Sequence, residues 1–284
     1  MTQAILNGVY PVTVAQPTEK PNQPKNDLVY YRIQAFEAYS NLTHAIFTRR
    51  GGVSRGPYAT LNLSPSVGDD PAAVAQNFQK ACEVLDISPD QTVSCHLTHS
   101  ADIFTVNRTS RQRVMGYGDG MITSEPGIFL AMRFGDCTPL IFFDPRRPAI
   151  GVTHAGWRGT MKNAAGATVK AMVSQLGCRT EDVMAVIGPA IGPCCYEVGP
   201  DVMAAAEQAF SQPDDLFIRR NGRSDRAQFD MWEANRHQLA DSGVRQIIQS
   251  NLCTACRTDL FFSHRAEKGR TGRFGVIVGL KAAA

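Results

Sequence analysis

Residues 128 to 159, IFLAMRFGDCTPLIFFDPRRPAIGVTHAGWRG, constrain this chain more than any other stretch. An apolar run precedes Cys137, a second follows it, and a third runs straight into His154. Short apolar runs rich in Ile, Val and Phe and bounded by Gly and Pro read as buried strands. The third run is cut off by two glycines that bracket Trp157 and Arg158. Cys137 and His154 therefore both fall at strand-to-turn positions, seventeen residues apart. One strand and its return is a path that can bring two such turns to the same edge of a sheet.

The rest of the chain repeats this grammar. LVYYRI (28 to 33), HAIFT (44 to 48), DIFTV (102 to 106), VMAVIG (183 to 188) and RFGVIVGL (273 to 280) read as strands. Helices are expected over 71–86, where Asp70 can cap and Pro71 can sit in the first turn, and over 160–176, 200–210 and 230–242. Strand neighbours mixed with single helices point to an α+β fold of layered sheets rather than a doubly wound parallel sheet. Residues 1–27, polar and dotted with proline, read as a flexible leader. Residues 28–284 read as one domain.

Composition narrows the function classes. A hydrophobic share of 43% with 19% charge belongs to a globular enzyme rather than a disordered chain. No stretch approaches eighteen uninterrupted apolar residues and the N-terminus has no signal-like segment, so a soluble cytoplasmic protein with no membrane partner is expected. The net charge of +3 is spread out, and the one basic cluster, RRNGRSDR at 219–226, has the make-up of a solvated loop. Nucleic acid is not an expected partner. Eight cysteines are too few for a disulfide scaffold of this length, so each is judged by its surroundings.

A thiolate and an imidazole at one sheet edge are ligands that zinc accepts, and a catalytic zinc needs three protein ligands. Of the six histidines, His99 in CHLTHSADIFTV is the best placed to be the third, with His96 its competitor. Two alternatives stay open from spacing alone: Cys137 and His154 pack as ordinary core residues, or they act as a nucleophile and its base. AGWRGT followed by a helix offers unpaired N–H groups to an anion, with Arg158 as a clamp; the plainer alternative is a turn with Trp157 as a plug. In FTRRGGVSRGPYATLNLSPSVGDDP, Arg49 or Arg50 is expected to face a substrate. Cys194 and Cys195 are adjacent, so sharing one tetrahedral ion implies strain. Cys253 and Cys256 form a C-x-x-C without a second such pair. Buried or rim-lining thiols are expected at both. No Walker loop, G-x-S-x-G, H-E-x-x-H or deaminase H-x-E with P-C-x-x-C occurs.

FTRRGGVSRGPYATLNLS, VGDDPAAVAQN, THSADIFTV, GDCTPLIFFDP, GVTHAGWRGT, GPAIGPCCYEVG and DLFFSHRAEKGRTGRFG, in this order, resemble the YfiH/laccase-domain family. That family is described both as multicopper polyphenol oxidase and as zinc-dependent purine nucleoside phosphorylase. The resemblance implies a layered α/β/β/α sandwich of mixed sheets and a zinc site of His99, Cys137 and His154. It also implies phosphorolysis of adenosine, inosine, guanosine and methylthioadenosine, and deamination of adenosine. Purine nucleosides and phosphate would be the partners, with Arg49 and Arg158 as contacts and a monomer as the simplest state. Leu97, Thr98, His99 and Ser100 depart from the family's usual Gln, apolar residue, His and Gly; His264 replaces its usual Tyr. Both departures bear on substrate preference.

The rivals differ in chemistry. Copper-dependent phenol oxidation needs more histidine ligands than six scattered residues with no His-x-His pair supply. A cysteine hydrolase or amidase acting on peptidoglycan precursors would use Cys137 as nucleophile and His154 as base. No general acid or base for the favoured reading stands out, since Asp136, next to Cys137, would face the other way on a strand.

Overall fold

A computed structural model describes residues 9–14, 28–109, 113–218 and 225–282. Its first strands are β1 (Val9–Val14), β2 (Leu28–Ile33), β3 (Leu42–Phe47), β4 (Thr92–His96), β5 (Ile103–Thr105) and β6 (Val114–Tyr117). Next come β7 (Gly120–Thr123), β8 (Phe129–Phe134), β9 (Thr138–Asp144), β10 (Ala149–Ala155) and β11 (Met184–Ile187). The last are β12 (Glu197–Val198), β13 (Phe217–Ile218), β14 (Ala227–Phe229), β15 (Gln246–Gln249) and β16 (Phe274–Leu280). The α-helices are α1 (Pro71–Glu83), α2 (Trp157–Met161), α3 (Ala164–Leu176), α4 (Pro200–Ala209) and α5 (Met231–Asp241).

A seven-stranded sheet runs β1-β2-β3-β16-β8-β4-β6, a six-stranded sheet runs β15-β11-β9-β10-β7-β5, and a small third sheet runs β12-β14-β13. The period of two along each strand builds the layers. Phe274, Val276 and Val278 of β16 meet Ile141 and Phe143 of β9 and Ile150 and Val152 of β10 in the core between the two large sheets. The intervening Ile277 packs outward with Ala81 and Cys82 of α1. On the far side, Leu140 and Phe142 of β9 pack with Val169 and Met172 of α3 and Leu239 of α5. The fold is α+β, with helix, sheet, sheet and helix in that order.

The expected strands of the central region fall within two residues of the observed ones. Asp70 accepts from the Ala72 N–H at 3.0 Å and caps α1, with Pro71 in its first turn. Two expectations need correction. Val9–Val14, inside the expected leader, pairs antiparallel with β2; Val, Tyr and Thr favour a strand, and Pro11 is tolerated because β1 is the sheet edge. The remaining leader residues, 1–8 and 15–27, and residues 219–224 of the basic cluster lie outside the described residues. The helix expected over 160–176 starts earlier, at Trp157, and breaks at Asn163, which adopts a left-handed φ of 56°. No helix among the described residues is long and apolar enough to cross a membrane.

The chain changes sheets at one end of this sandwich. Residues 97–102 lead from β4 in the first sheet to β5 in the second, and Gly135 to Cys137 lead from β8 to β9. In the antiparallel β9/β10 pair, Pro139 faces His154 and Thr138 faces Ala155, so Cys137 and the end of β10 share that edge.

Candidate metal centre

His154 lies on the inter-sheet face of β10, in step with Ile150 and Val152, with its ring 5.6 Å from that of Phe134. The turn after β8 carries Cys137 to it, and the crossover after β4 carries His99. The ligand atoms of His99, Cys137 and His154 lie within 4.8 Å of one another, with Cys137 Sγ 3.9 Å from His99 Nε2. A tetrahedral ion bonded to sulfur at about 2.3 Å and nitrogen at about 2.0–2.1 Å would set that edge near 3.6 Å. Two imidazoles and a thiol are a donor set that can hold a metal ion.

Asp119 organises this centre. It is wholly buried just before β7, whose first residue, Gly120, pairs with Thr153. Its carboxylate accepts from the backbone N–H groups of Thr98, His99 and Ser100 at 3.0, 3.0 and 2.7 Å, holding the loop on which His99 takes a φ of 59°. It also accepts from the hydroxyls of Thr98 and Ser100 and, at 2.9 Å, from His154 Nδ1–H. Fixing Nδ1 as the donor leaves Nε2 as the lone-pair nitrogen, the usual support for a metal-bound histidine. Burial raises the Asp119 carboxyl, but the bonds from His154 and the 98–100 loop outweigh it and lower its pKa. Burial also opposes charge on His154, yet the Cys137 thiolate and Asp119 raise the imidazole to about 9. Cys137 is pushed up by burial and drawn down to about 6 by His154 first and His99 second. Gly156 is forced here: a Cβ would sit 2.8 Å from His99 Cδ2 and 2.9 Å from Cys137 Sγ.

The centre opens into a cavity of about 740 Å³. Arg133, Arg158, Arg265 and Arg273 line it, Arg133 tied to the Leu63 carbonyl, Arg265 to that of Glu197 and Arg273 to those of Thr271 and Gly272, with Trp157 and Tyr196 and, at the rim, the 75% exposed Tyr117. Asp136 also lines it, but its carboxylate is occupied by the Thr254 hydroxyl at 2.6 Å and the Arg265 N–H at 2.7 Å. Positive charge, aromatic faces and a metal-competent centre thus meet in one space, suited to an anion and a flat ring.

Residues 43–281 match the family model described as multi-copper polyphenol oxidoreductase laccase. This chain belongs to the laccase-like YfiH family. It is 37% identical over 251 residues to the purine nucleoside phosphorylase YlmD of Geobacillus stearothermophilus, covering 85% of this chain and 91% of that one. To the purine nucleoside phosphorylase YlmD of Bacillus subtilis it is 36% identical over 245 residues, 83% and 87% of the two chains. The crystal structure of the YfiH hypothetical protein of Bacillus licheniformis superposes with a TM-score of 0.84 at 33% identity, over 89% of this chain and 96% of that one.

On this YfiH scaffold Arg158 lines the cavity, its guanidinium 4.2 Å over the Trp157 ring. Arg49, expected to face a substrate, is engaged by its own scaffold. Its guanidinium donates to the Ala59 and Thr258 carbonyls, each at 2.9 Å, pairs with Glu267 at 2.9 Å and covers the Phe262 ring, away from the cavity lining. Arg50 likewise reaches out to Asp259. His96 lies on the cavity rim with its ring 5.2 Å from that of Tyr117 and outside the three-residue cluster. Asp136 is a tie between loops. Sequence reasoning missed Asp119, whose only signal is a lone acid between glycines in GYGDG, and Arg133, Arg265 and Arg273. It also set apart four cysteines that the fold unites: the sulfurs of Cys194, Cys195, Cys253 and Cys256 lie within 4.8 Å of one another. Cys194 and Cys195 lie in a tight turn, in which the Cys195 and Tyr196 N–H groups both donate to Gly192 O.

Proposed function

We propose that this chain is a zinc-dependent purine nucleoside phosphorylase that also deaminates adenosine and phosphorolyses methylthioadenosine. One observation supports it above the rest: a cavity lined by four arginines and by aromatic residues opens onto the His99, Cys137 and His154 cluster. The names of the two YlmD relatives agree with this reading. Residues 28–284 are read as one catalytic domain, acting in the cytoplasm on small molecules.

His99, Cys137 and His154 would hold zinc, which when bound supplies a Lewis acid for negative charge on the reacting purine or on water. Asp119 keeps His154 oriented and the His99 loop closed. Arg158, with Arg265 and Arg273 beside it, holds phosphate, since guanidinium groups grip tetrahedral oxyanions through paired N–H donors. Trp157, Tyr196 and Tyr117 offer ring faces to the base and exclude water from it. In phosphorolysis a phosphate oxygen attacks the ribose C1′ and the electron pair of the glycosidic bond leaves with the purine, giving free base and ribose 1-phosphate. In deamination water replaces the amino group at C6 and ammonia leaves.

Cys137, His154 and Asp119 also form a thiolate, imidazolium and carboxylate series, and this supports a second reading as a cysteine hydrolase or amidase acting on peptidoglycan precursors. One experiment separates the two. The purified chain is assayed for metal by elemental analysis, with copper and zinc both counted, and for base release from adenosine plus phosphate. Phosphorylase chemistry predicts zinc, free adenine or hypoxanthine, and loss of turnover together with one equivalent of metal in Cys137→Ser. Metal-free protein that releases no base overturns it, and turnover lost with the metal stoichiometry unchanged from wild type in that variant transfers the site to the hydrolase reading.

A further inference from the structure

We propose that Cys194, Cys195, Cys253 and Cys256 form a second metal site, a closed tetrathiolate that takes one zinc ion and clips two loops beneath the cavity wall. β11 and β15 are parallel neighbours, so the loops that follow them emerge side by side. An isolated bridge joins Ala190 to Cys253, with Ala190 N–H donating to Leu252 O at 3.2 Å and Thr254 N–H to Ala190 O at 3.0 Å. Each loop then tightens: Cys195 N–H reaches Gly192 O at 2.9 Å, and Arg257 N–H reaches Cys253 O at 3.0 Å. In such turns successive side chains swing part of the way around an axis rather than to opposite faces, so Cys194 and Cys195 point to one spot.

The sulfur spacing fits one ion. Cys256 Sγ lies 3.5 Å from Cys194 Sγ and 3.3 Å from Cys195 Sγ. Four thiolates at about 2.3 Å from a tetrahedral zinc stand about 3.8 Å apart. Disulfides would need about 2.05 Å. An iron–sulfur cluster spreads its cysteines over several irons, which four sulfurs all within 4.8 Å of one another do not match. Four soft donors select a thiophilic ion, and a full set of four protein ligands marks a structural rather than a catalytic site. Cys253, buried, also accepts the Gly192 N–H at 3.2 Å, a bond that stabilises a thiolate.

Both clipped loops reach the cavity through Asp136. Ile191 N–H donates to Asp136 O at 2.9 Å, and the Thr254 hydroxyl donates to its carboxylate at 2.6 Å. Asp136 precedes Cys137, and Ile191 and Tyr196 both line the cavity. The clip therefore sets the position of the wall that faces the first centre without opening into it.

The test uses the full chain purified under reducing conditions. Elemental analysis is expected to find one zinc that survives Cys137→Ser and is lost in Cys256→Ser, and the Cys256→Ser variant is expected to melt at lower temperature. Should Cys256→Ser fail to fold, the Cys137→Ser protein reconstituted with cobalt(II) is expected to show the intense visible and charge-transfer bands of a tetrahedral tetrathiolate. Zinc content that falls to zero in Cys137→Ser overturns the proposal. So do an intact mass lowered by two hydrogens for each cysteine pair and iron accompanied by labile sulfide.

Discussion

At the scale of single residues the centre depends on a carboxylate that touches no ligand atom of the cavity. Asp119 takes bonds from the 98–100 loop and from His154, so removing its charge acts on two ligands at once. Asp119→Asn keeps the volume but presents N–H to some of the donors it now satisfies. Metal affinity is expected to fall by about 10–100-fold, as for other buried partners of metal-bound histidine. Competition with a chromophoric chelator measures this, and unchanged affinity would remove Asp119 from the centre. The two arginines chosen from the sequence should separate cleanly. Arg158→Ala is expected to raise KM for phosphate roughly tenfold, about the worth of one charge-assisted contact, with little change in melting temperature. Arg49→Ala removes a half-hidden ion pair and two carbonyl bonds, and should cost about 2–3 kcal/mol of stability with KM unaffected once folded. The reverse pattern would return Arg49 to the site. Both residues sit in glycine-rich stretches, and sequence alone cannot tell a guanidinium that faces solvent from one spent on its own scaffold.

Elements were the most legible scale. Buried strands such as β9, β10 and β16 announce themselves because a strand covered on both faces has no polar positions to confuse its pattern. His154 was legible for the same reason, as the polar terminus of such a run. Short edge strands were not: β6 and β15 expose much of their surface, so their sequences carry little periodic signal. The break between α2 and α3 escaped notice because the Ala, Met and Lys residues of TMKNAAGATVKAM mask the weak helix formers Asn163 and Gly166 among them. Asn163 decides it, adopting the left-handed conformation and accepting the Gly166 N–H at 3.0 Å as the cap of α3. Replacing it by alanine loses the cap and leaves a left-handed residue without the short polar side chain that makes this conformation tolerable, at about 1 kcal/mol each. Asn163→Ala is thus expected to lower unfolding free energy by about 2 kcal/mol and Asn163→Gly by only a few tenths. Urea denaturation of the two variants reads the difference, and equal losses would show that the break is set elsewhere.

Across the whole molecule, what brings chemistry together is the point where the chain crosses between sheets. His99 and Cys137 each lie on a crossover at the same end of the sandwich, and the four cysteines meet because β11 and β15 are parallel neighbours although α4, α5 and the small sheet separate them in sequence. Such long-range pairing is fixed by packing of the layers, so local patterns could suggest the first cluster but not the second. The same burial governs how the fold responds to acid. His44 of β3 is 1% exposed in the core, where its Nε2 accepts the Ile33 N–H at 2.8 Å. Burial, aided by Arg32, lowers its pKa from 6.5 to about 3. A second proton would have to displace the Ile33 bond, with the Glu37 carboxylate 3.8 Å from Nε2. The unfolded chain binds that proton below about pH 6.5 and the folded chain does not, so this residue's stabilisation is complete above pH 6.5 and drains away as pH falls toward 3. By pH 5 the loss is about 2 kcal/mol, at 1.36 kcal/mol per pH unit. Wild type and His44→Gln share every other titrating group. Denaturant midpoints taken at pH 7 and pH 5 should therefore show the wild type losing about 2 kcal/mol more than the variant, and parallel losses would mean that His44 is protonated inside the fold.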